Sequence, residues 1–389
     1  VTPGLTLNRL DLTDFRSYAS LTWRPAGEAP NGSGIIVITG PNGTGKTNLL
    51  EAISMLVPGR GLRQARIADL ARLDGTGRWA VSGRFDGPDG PLQIGTGTTG
   101  DGPPDRRQFR LDGAAPKNQA HLAARLAAVW LTPQMDRLFQ EGASARRRFL
   151  DRLVYALEPS HAREVAAYDT AMAGRNRLLA EGRADAAWLA GLEDAMARHA
   201  VAATAERAHL VSQLNAALAG GAAAPFPAAR LRLLDPIADR LGDEPALAVE
   251  DWLRDTLAAR RAADAAAGSA GIGAHRADMG LEDAATGLPA ALSSTGQQKA
   301  LLIGVVLGHA ITIAQARGFA PLLLLDEPAV HLDRERRAQL FTALESLPAQ
   351  SIITGTDADL FAPLFATAAG WRTGGRTLQP DQLFQNQTD

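Results

Sequence analysis

Gly40-Pro-Asn-Gly-Thr-Gly-Lys-Thr47 fits G-x-x-x-x-G-K-[ST], the pattern of a loop that wraps the phosphates of a nucleoside triphosphate. The five residues before it, Ile35-Ile36-Val37-Ile38-Thr39, are all β-branched, as in a buried parallel strand. Residues 48–56 space their apolar side chains as a helix does. The motif therefore has the strand–loop–helix setting that its chemistry needs. Gly40, Gly43 and Gly45 let backbone N–H groups turn inward around phosphate oxygens, and the N-terminus of the helix adds partial positive charge. Pro41, Asn42 and Thr44 complete the loop and Asn48 opens the helix, so the whole run 40–48 is assigned to the nucleotide. Lys46 is a point charge for the β- and γ-phosphates, and Thr47 offers a hydroxyl to Mg²⁺. The chain has three lysines against 37 arginines, yet it places a lysine here.

A length of 389 residues allows two or three domains, and 46% hydrophobic residues supply a sizeable core. The absence of cysteine excludes disulfides and thiolate metal sites. No apolar run reaches the length needed to cross a bilayer, and the first residues lack a basic, then apolar leader, so the expected location is the cytoplasm with no membrane partner. A net charge of −2 excludes strong non-specific attraction to nucleic acid; DNA binding would require arginines concentrated on one face.

Residues 5–13 alternate as a strand, Phe15-Arg16-Ser17-Tyr18 makes a corner, residues 21–23 begin a return strand, and 25–34 form a loop. Arg60, Arg63 and Arg66 follow the first helix without an acid among them and are candidates for a DNA backbone. Residues 78–85, 92–97 and 108–111 read as an antiparallel meander, with turns at 86–91 and 98–104. A short helix over 121–128 and a strand over 129–131 lead to Gln134. Arg146-Arg147-Arg148 point three ways on a helix and form no stripe. Residues 160–180 and 184–219 make an Ala-rich helical hairpin broken at 181–183, about 45 Å long at 1.5 Å per residue. A strand over 231–234 and one helix over 249–267 follow.

Leu322-Leu-Leu-Leu-Asp-Glu327 is an apolar strand ending in two carboxylates. In a phosphoryl-transfer site Asp326 would orient Mg²⁺ and Glu327 would polarise an attacking water. Ser294-Thr-Gly-Gln-Gln-Lys299 caps the helix over 300–314 and offers Ser294, Gly296 and Gln297 as a second phosphate-binding surface.

Taken in order, Gly40–Thr47, Gln134, Ser294–Gln297, Leu322–Glu327 and Leu332-Asp333 resemble the ATP-binding-cassette ATPases. Within that class Phe15-Arg-Ser-Tyr18, Arg147-Arg-Phe-Leu-Asp151 and His275-Arg-Ala-Asp278 resemble the RecF family, relatives of the SMC ATPases. The resemblance adds Arg16, otherwise readable as a solvated turn residue, to the nucleotide site. It assigns Gln134, with Glu327 and Lys46, to catalysis, and Gln134, with Thr47 and Asp326, to the metal. RecF proteins often carry Arg at the position of Thr295. Many cassette ATPases have a His in the segment 351–357, where this chain offers Thr354 or Thr356, so hydrolysis is expected to be slow.

The fold implied is α/β: an ABC-type P-loop ATPase head, with a mixed core sheet and an antiparallel lateral sheet, and an inserted short helical arm. The expected division is 1–133 and 291–389 for the head and 134–290 for the arm. One phosphate loop and one signature per chain imply an ATP-bound homodimer, head to tail. The implied partners are double-stranded or gapped DNA, RecR and RecO. Two other readings compete. Another SMC-like ATPase, for example of a defence system, would need an appended nuclease, and residues 360–389 hold no metal-ligand cluster. A transporter cassette would not need the 160 positions between Gln134 and Ser294.

Overall fold

The computed structural model describes residues 4–25, 34–98, 106–182, 185–374 and 377–384. The loop expected over 25–34 and the turn over 98–104 lie largely outside them; of the break expected at 181–183, Glu181 ends a helix and Gly182 follows it with a left-handed backbone, φ +66°. The chain divides into two compact units: Val1–Asp136, Gly220–Ala228 and Ser294–Asp389 form one, and Arg137–Ala219 and Ala229–Ser293 the other. Residues 220–228, inside the expected insert, group with the first unit, where Pro227 and Ala223 pack on Gly304 of a long core helix.

In the first unit, strands β1 (Thr6–Phe15) and β2 (Tyr18–Trp23) form a hairpin. The next strand, β3 (Ile35–Thr39), belongs to a different sheet. After it, β4 (Ala80–Gly87), β5 (Gly90–Thr98) and β6 (Arg107–Leu111) return to the first sheet, in the order β2-β1-β4-β5-β6. The N-terminal hairpin and the meander are thus one antiparallel sheet. Its strand β1 buries Leu7, Leu10 and Leu12, and the three-residue step from Leu7 to Leu10 coincides with a register shift between Leu7 and Arg9. A bulge there restores the inward face of the strand.

The second sheet adds β7 (Ala128–Leu131), β10 (Leu322–Leu325), β11 (Ser351–Gly355), β12 (Ala369–Gly374) and β13 (Thr377–Pro380), in the order β13-β12-β3-β11-β10-β7. Every neighbour pair is parallel except β12 with β13. β3, β7, β10 and β11 are buried along their whole length, which is why β3, β7 and β10 read as nearly continuous apolar runs. The phosphate-loop helix α1 (Lys46–Ser54), α2 (Gln119–Arg125), α9 (Thr295–Arg317) and α10 (Arg334–Ser346) complete the unit. Contrary to the sequence expectation, α9 is long and apolar enough to cross a membrane by length and composition. Of its apolar 18-residue window 83% is buried inside the protein, and core helices satisfy the same criterion.

The second unit holds α3 (Ala143–Leu157), α4 (His161–Glu181), α5 (Ala186–Ala219), α6 (Pro236–Asp243), α7 (Ala246–Ala259) and α8 (Arg261–Ala267). Strands β8 (Ala229–Leu234) and β9 (Asp278–Asp283) pair antiparallel. The single helix expected over 249–267 is two helices broken at Arg260, and α6 and β9 were not anticipated. Tyr168, Met196, Val201, Ile237, Val249 and Leu253 form the core of this unit. Two of the three motifs that singled out the RecF family meet here. Arg146 donates two hydrogen bonds to Asp278, Arg147 donates to the Ala277 carbonyl, and Asp151 accepts two from Arg207.

Candidate functional site

Two glycines of the phosphate loop have no substitute. At Gly40 (φ +147°) a Cβ would lie 2.3 Å from the Thr373 hydroxyl of β12, and at Gly45 (φ +105°) 2.6 Å from the Tyr18 hydroxyl. Around them the loop is tied down by its neighbours. Thr44 donates to the Pro41 carbonyl, Tyr18 to the Gly45 carbonyl, and Thr373 to the Thr39 carbonyl. The Thr44 and Thr373 hydroxyls are 2.6 Å apart. Lys46 is 4% exposed, and its ammonium donates to the carbonyls of Gly40 (2.6 Å) and Pro41 (3.0 Å). Burial lowers its pKa, while Asp326 and Glu327 pull it back up.

Those carboxylates stand at the end of β10. Asp326 is buried and accepts from Thr47 (3.0 Å) and Thr354 (2.8 Å) on the same oxygen. Burial raises its pKa, opposed by these two hydroxyls and by Arg63 and Lys46. Thr47 and Asp326 present only oxygen, and a divalent cation beside them would offset the cost of a buried carboxylate, so the pair fits Mg²⁺. Among the described residues no group of three His, Cys, Asp or Glu could hold a metal alone. That suits a cation shared with phosphates. Gln134 is exposed, on the 3₁₀ turn Pro133–Arg137 after β7. Parallel pairing of Leu131 with Leu325 puts this turn and Asp326 at the same end of the sheet.

Glu327 has a left-handed backbone, φ +50°, and its N–H donates to the Thr354 hydroxyl. This corrects one expectation. Thr354 is fully buried and engaged with Asp326 and the Glu327 amide, so it cannot stand in for a histidine facing phosphate; Thr356 is exposed.

At the signature, Ser294 caps α9. Its hydroxyl accepts from the Gln297 N–H, and the Gln297 side chain accepts from the Ser294 N–H. The Gln297 carbonyl oxygen is therefore used inside the turn, while the Ser294 hydroxyl keeps a proton to donate. Gly296 leaves the turn uncovered: a Cβ there would meet only the His331 carbonyl, at 3.6 Å. Among the described residues, the hydrogen bonds of 294–297 do not reach 40–48.

Arg16 and Arg63 converge on Glu51, which sits on α1 and is 1% exposed. Arg16 grips both carboxylate oxygens and also donates to the Asp69 carbonyl. Arg63, expected on DNA, instead donates to Asn48. Asn48 itself donates to the Ser17 hydroxyl. Glu51 supplies the charge that draws Arg63 onto α1; Arg60 is exposed, and Arg66 pairs with exposed Asp69. Glu51 was missed, although a lone acid among the apolar residues of α1 was a visible signal. Thr373 gave none, because its contact with the loop depends on which strands become neighbours, and Thr354, raised as a substitute for a histidine, gave no sign that it would bond Asp326.

The solved structure of the recombination mediator protein RecF with ATP, in the RecFOR pathway, matches with a TM-score of 0.83 at 20% identity, over 98% of this chain and 99% of that one. An SMC head bound to the C-winged helix domain of ScpA matches at 0.53 and 14%, over 97% of each. With the site above, the fold defines an ATP-binding-cassette ATPase head. Residues 6–366 match the RecF/RecN/SMC N terminal domain family. The DNA replication and repair protein RecF of Mesorhizobium japonicum is 47% identical over 364 residues, covering 93% of this chain and 94% of that protein. The protein of the same name from Agrobacterium fabrum is 46% identical over 367 residues, covering 94% and 96%. The chain belongs to the RecF family.

Proposed function

We propose that this RecF-family ATPase is a cytoplasmic clamp that closes on double-stranded or gapped DNA when two copies trap ATP between them, and that it prepares DNA for recombinase loading together with RecR and RecO. The observation that carries this reading is the divided site. Lys46, Thr47, Asp326 and Glu327 converge in one place, while the Ser294–Gln297 turn is capped within itself and, among the described residues, its hydrogen bonds do not reach the phosphate loop. A single chain offers one of each, so the turn of a second copy supplies the other wall.

In this reading, Lys46 and the loop N–H groups bind the β- and γ-phosphates, and Thr47, Asp326 and Gln134 hold Mg²⁺. The cation supplies positive charge to the phosphate oxygens. Glu327 orients the attacking water and takes its proton, and Ser294 and Gly296 of the second copy donate to the γ-phosphate. Hydrolysis is slow because Thr354 is committed to the Asp326 carboxylate and the Glu327 amide, and residues 351–357 contain no imidazole. Arg60 and Arg66 remain the candidates for the DNA backbone; Arg63 serves the nucleotide side.

The test is Glu327→Gln in saturating ATP with Mg²⁺, followed by sedimentation. A stable dimer is expected, with Lys46→Ala monomeric beside it. A monomeric Glu327→Gln protein would remove the scheme.

A further inference from the structure

Of the three lysines, Lys117 is exposed, and Lys46 and Lys299 are buried. Lys299 lies in the second turn of α9, five residues after Ser294. Its ammonium donates to the Val330 carbonyl at 2.7 Å and the Glu327 carbonyl at 3.3 Å, and lies 3.4 Å from an Asp136 carboxylate oxygen. Three acceptors match the three protons of an ammonium. They come from two segments that the nucleotide site uses: the turn that carries Gln134, and the loop that begins at Glu327.

That loop is strained. Glu327 and His331 both have left-handed backbones, φ +50° and +65°, which non-glycine residues keep only where the surroundings hold them. The Glu327 residue is held from two sides. Thr354 takes its N–H, and Lys299 takes its carbonyl. The backbone is thereby fixed while the side chain, which is half-buried, is left to act.

We propose that Lys299 is a positioning residue for hydrolysis, setting the backbone of Glu327 from the signature helix and linking it to the Gln134 turn. The choice of lysine supports this in a chain with 37 arginines. A compact ammonium fits between backbone carbonyls and a carboxylate, where the planar fork of arginine would not. Lys46 is seated in the same manner, on two carbonyls of its own loop. The helix that bears Lys299 begins at Ser294, so a second copy docking on that turn would act on the same helix that holds Glu327.

The inference rests on Glu327 being the residue that orients water, and the experiment separates the two. Lys299→Met keeps the stem and removes the charge. The expected result is a kcat lower by about tenfold or more, with ATP affinity within about twofold of wild type. Combined with Glu327→Gln, it should add no further loss of hydrolysis. If Glu327→Gln itself hydrolyses ATP at the wild-type rate, the reading of Glu327 fails. If Glu327→Gln is inactive and Lys299→Met keeps the wild-type kcat, the positioning role is overturned. Should Lys299→Met not fold, Asp136→Asn carries the test: it leaves the carbonyl bonds in place and should lower kcat by about threefold at unchanged ATP affinity. An unchanged kcat for that variant counts against the proposal.

Discussion

Lys46 and Arg175 are both buried cations, and their surroundings differ in kind. Lys46 rests on two neutral carbonyls of a loop, with Asp326 and Glu327 near by. Arg175 is wholly buried and donates to Glu193, to Asp264 and to the Leu257 carbonyl. The first has acceptors that phosphate oxygens can replace. The second is neutralised by permanent charges of its own unit, to which Arg261 adds a further bond to Glu193. Burial of charge alone thus says little about function. What separates the two sites is whether the partners of the charge are replaceable.

The comparison predicts opposite responses to mutation. The largest effect belongs to the second unit. Arg175→Met should cost about 3–5 kcal/mol, because Glu193 and Asp264 would stay buried with less compensation. Chemical denaturation would measure it, and a loss below about 1 kcal/mol would break the contrast by making that network dispensable. In the first unit the sign should reverse. Asp326 has a raised pKa, so its ionised form is disfavoured by folding, a penalty present above the folded pKa and relieved as pH falls through it. Asp326→Asn should therefore raise the melting temperature at neutral pH while hydrolysis falls by about tenfold or more. A lower melting temperature would show Asp326 to be structural.

The smallest effect concerns His161, which is buried between Asp151 and Glu206 with Arg207 beside it. Burial opposes its positive charge, but the hydrogen bonds to both carboxylates prevail and raise its pKa. Its contribution to stability is then complete below about pH 6.5, the unfolded value, and is lost as pH rises through the folded value. Wild type should lose stability above that pH, and His161→Asn should flatten the slope. Equal slopes would remove His161 as the cause.

The strand–loop–helix at 35–54, the strand that ends at Asp326 and the cap at Ser294 were legible because each is spelled by adjacent residues whose chemistry is local. The order of the strands was not. β12 reads Ala-Gly-Trp-Arg-Thr-Gly, with two glycines and no alternation, and becomes a strand by lying beside β3, where Phe384 packs against Gly370. The break at Arg260 has no proline or glycine to announce it, and β9 hides among three acidic residues in six. Arg63 was misplaced for a similar reason, since its direction is set by Glu51, twelve residues away and on another element.

The strand that delivers the phosphate loop has β11 and β12 as its two neighbours, drawn from residues 351–374, and Thr373 of β12 touches both Thr39 and Thr44. During synthesis the loop emerges some three hundred residues before the strands that shape it. The second unit is made entirely in the interval and has its own core. A chain on the ribosome therefore has the whole second unit available before the neighbours of β3 have been made. Products that stop early carry the motif without the strands that flank and shape it.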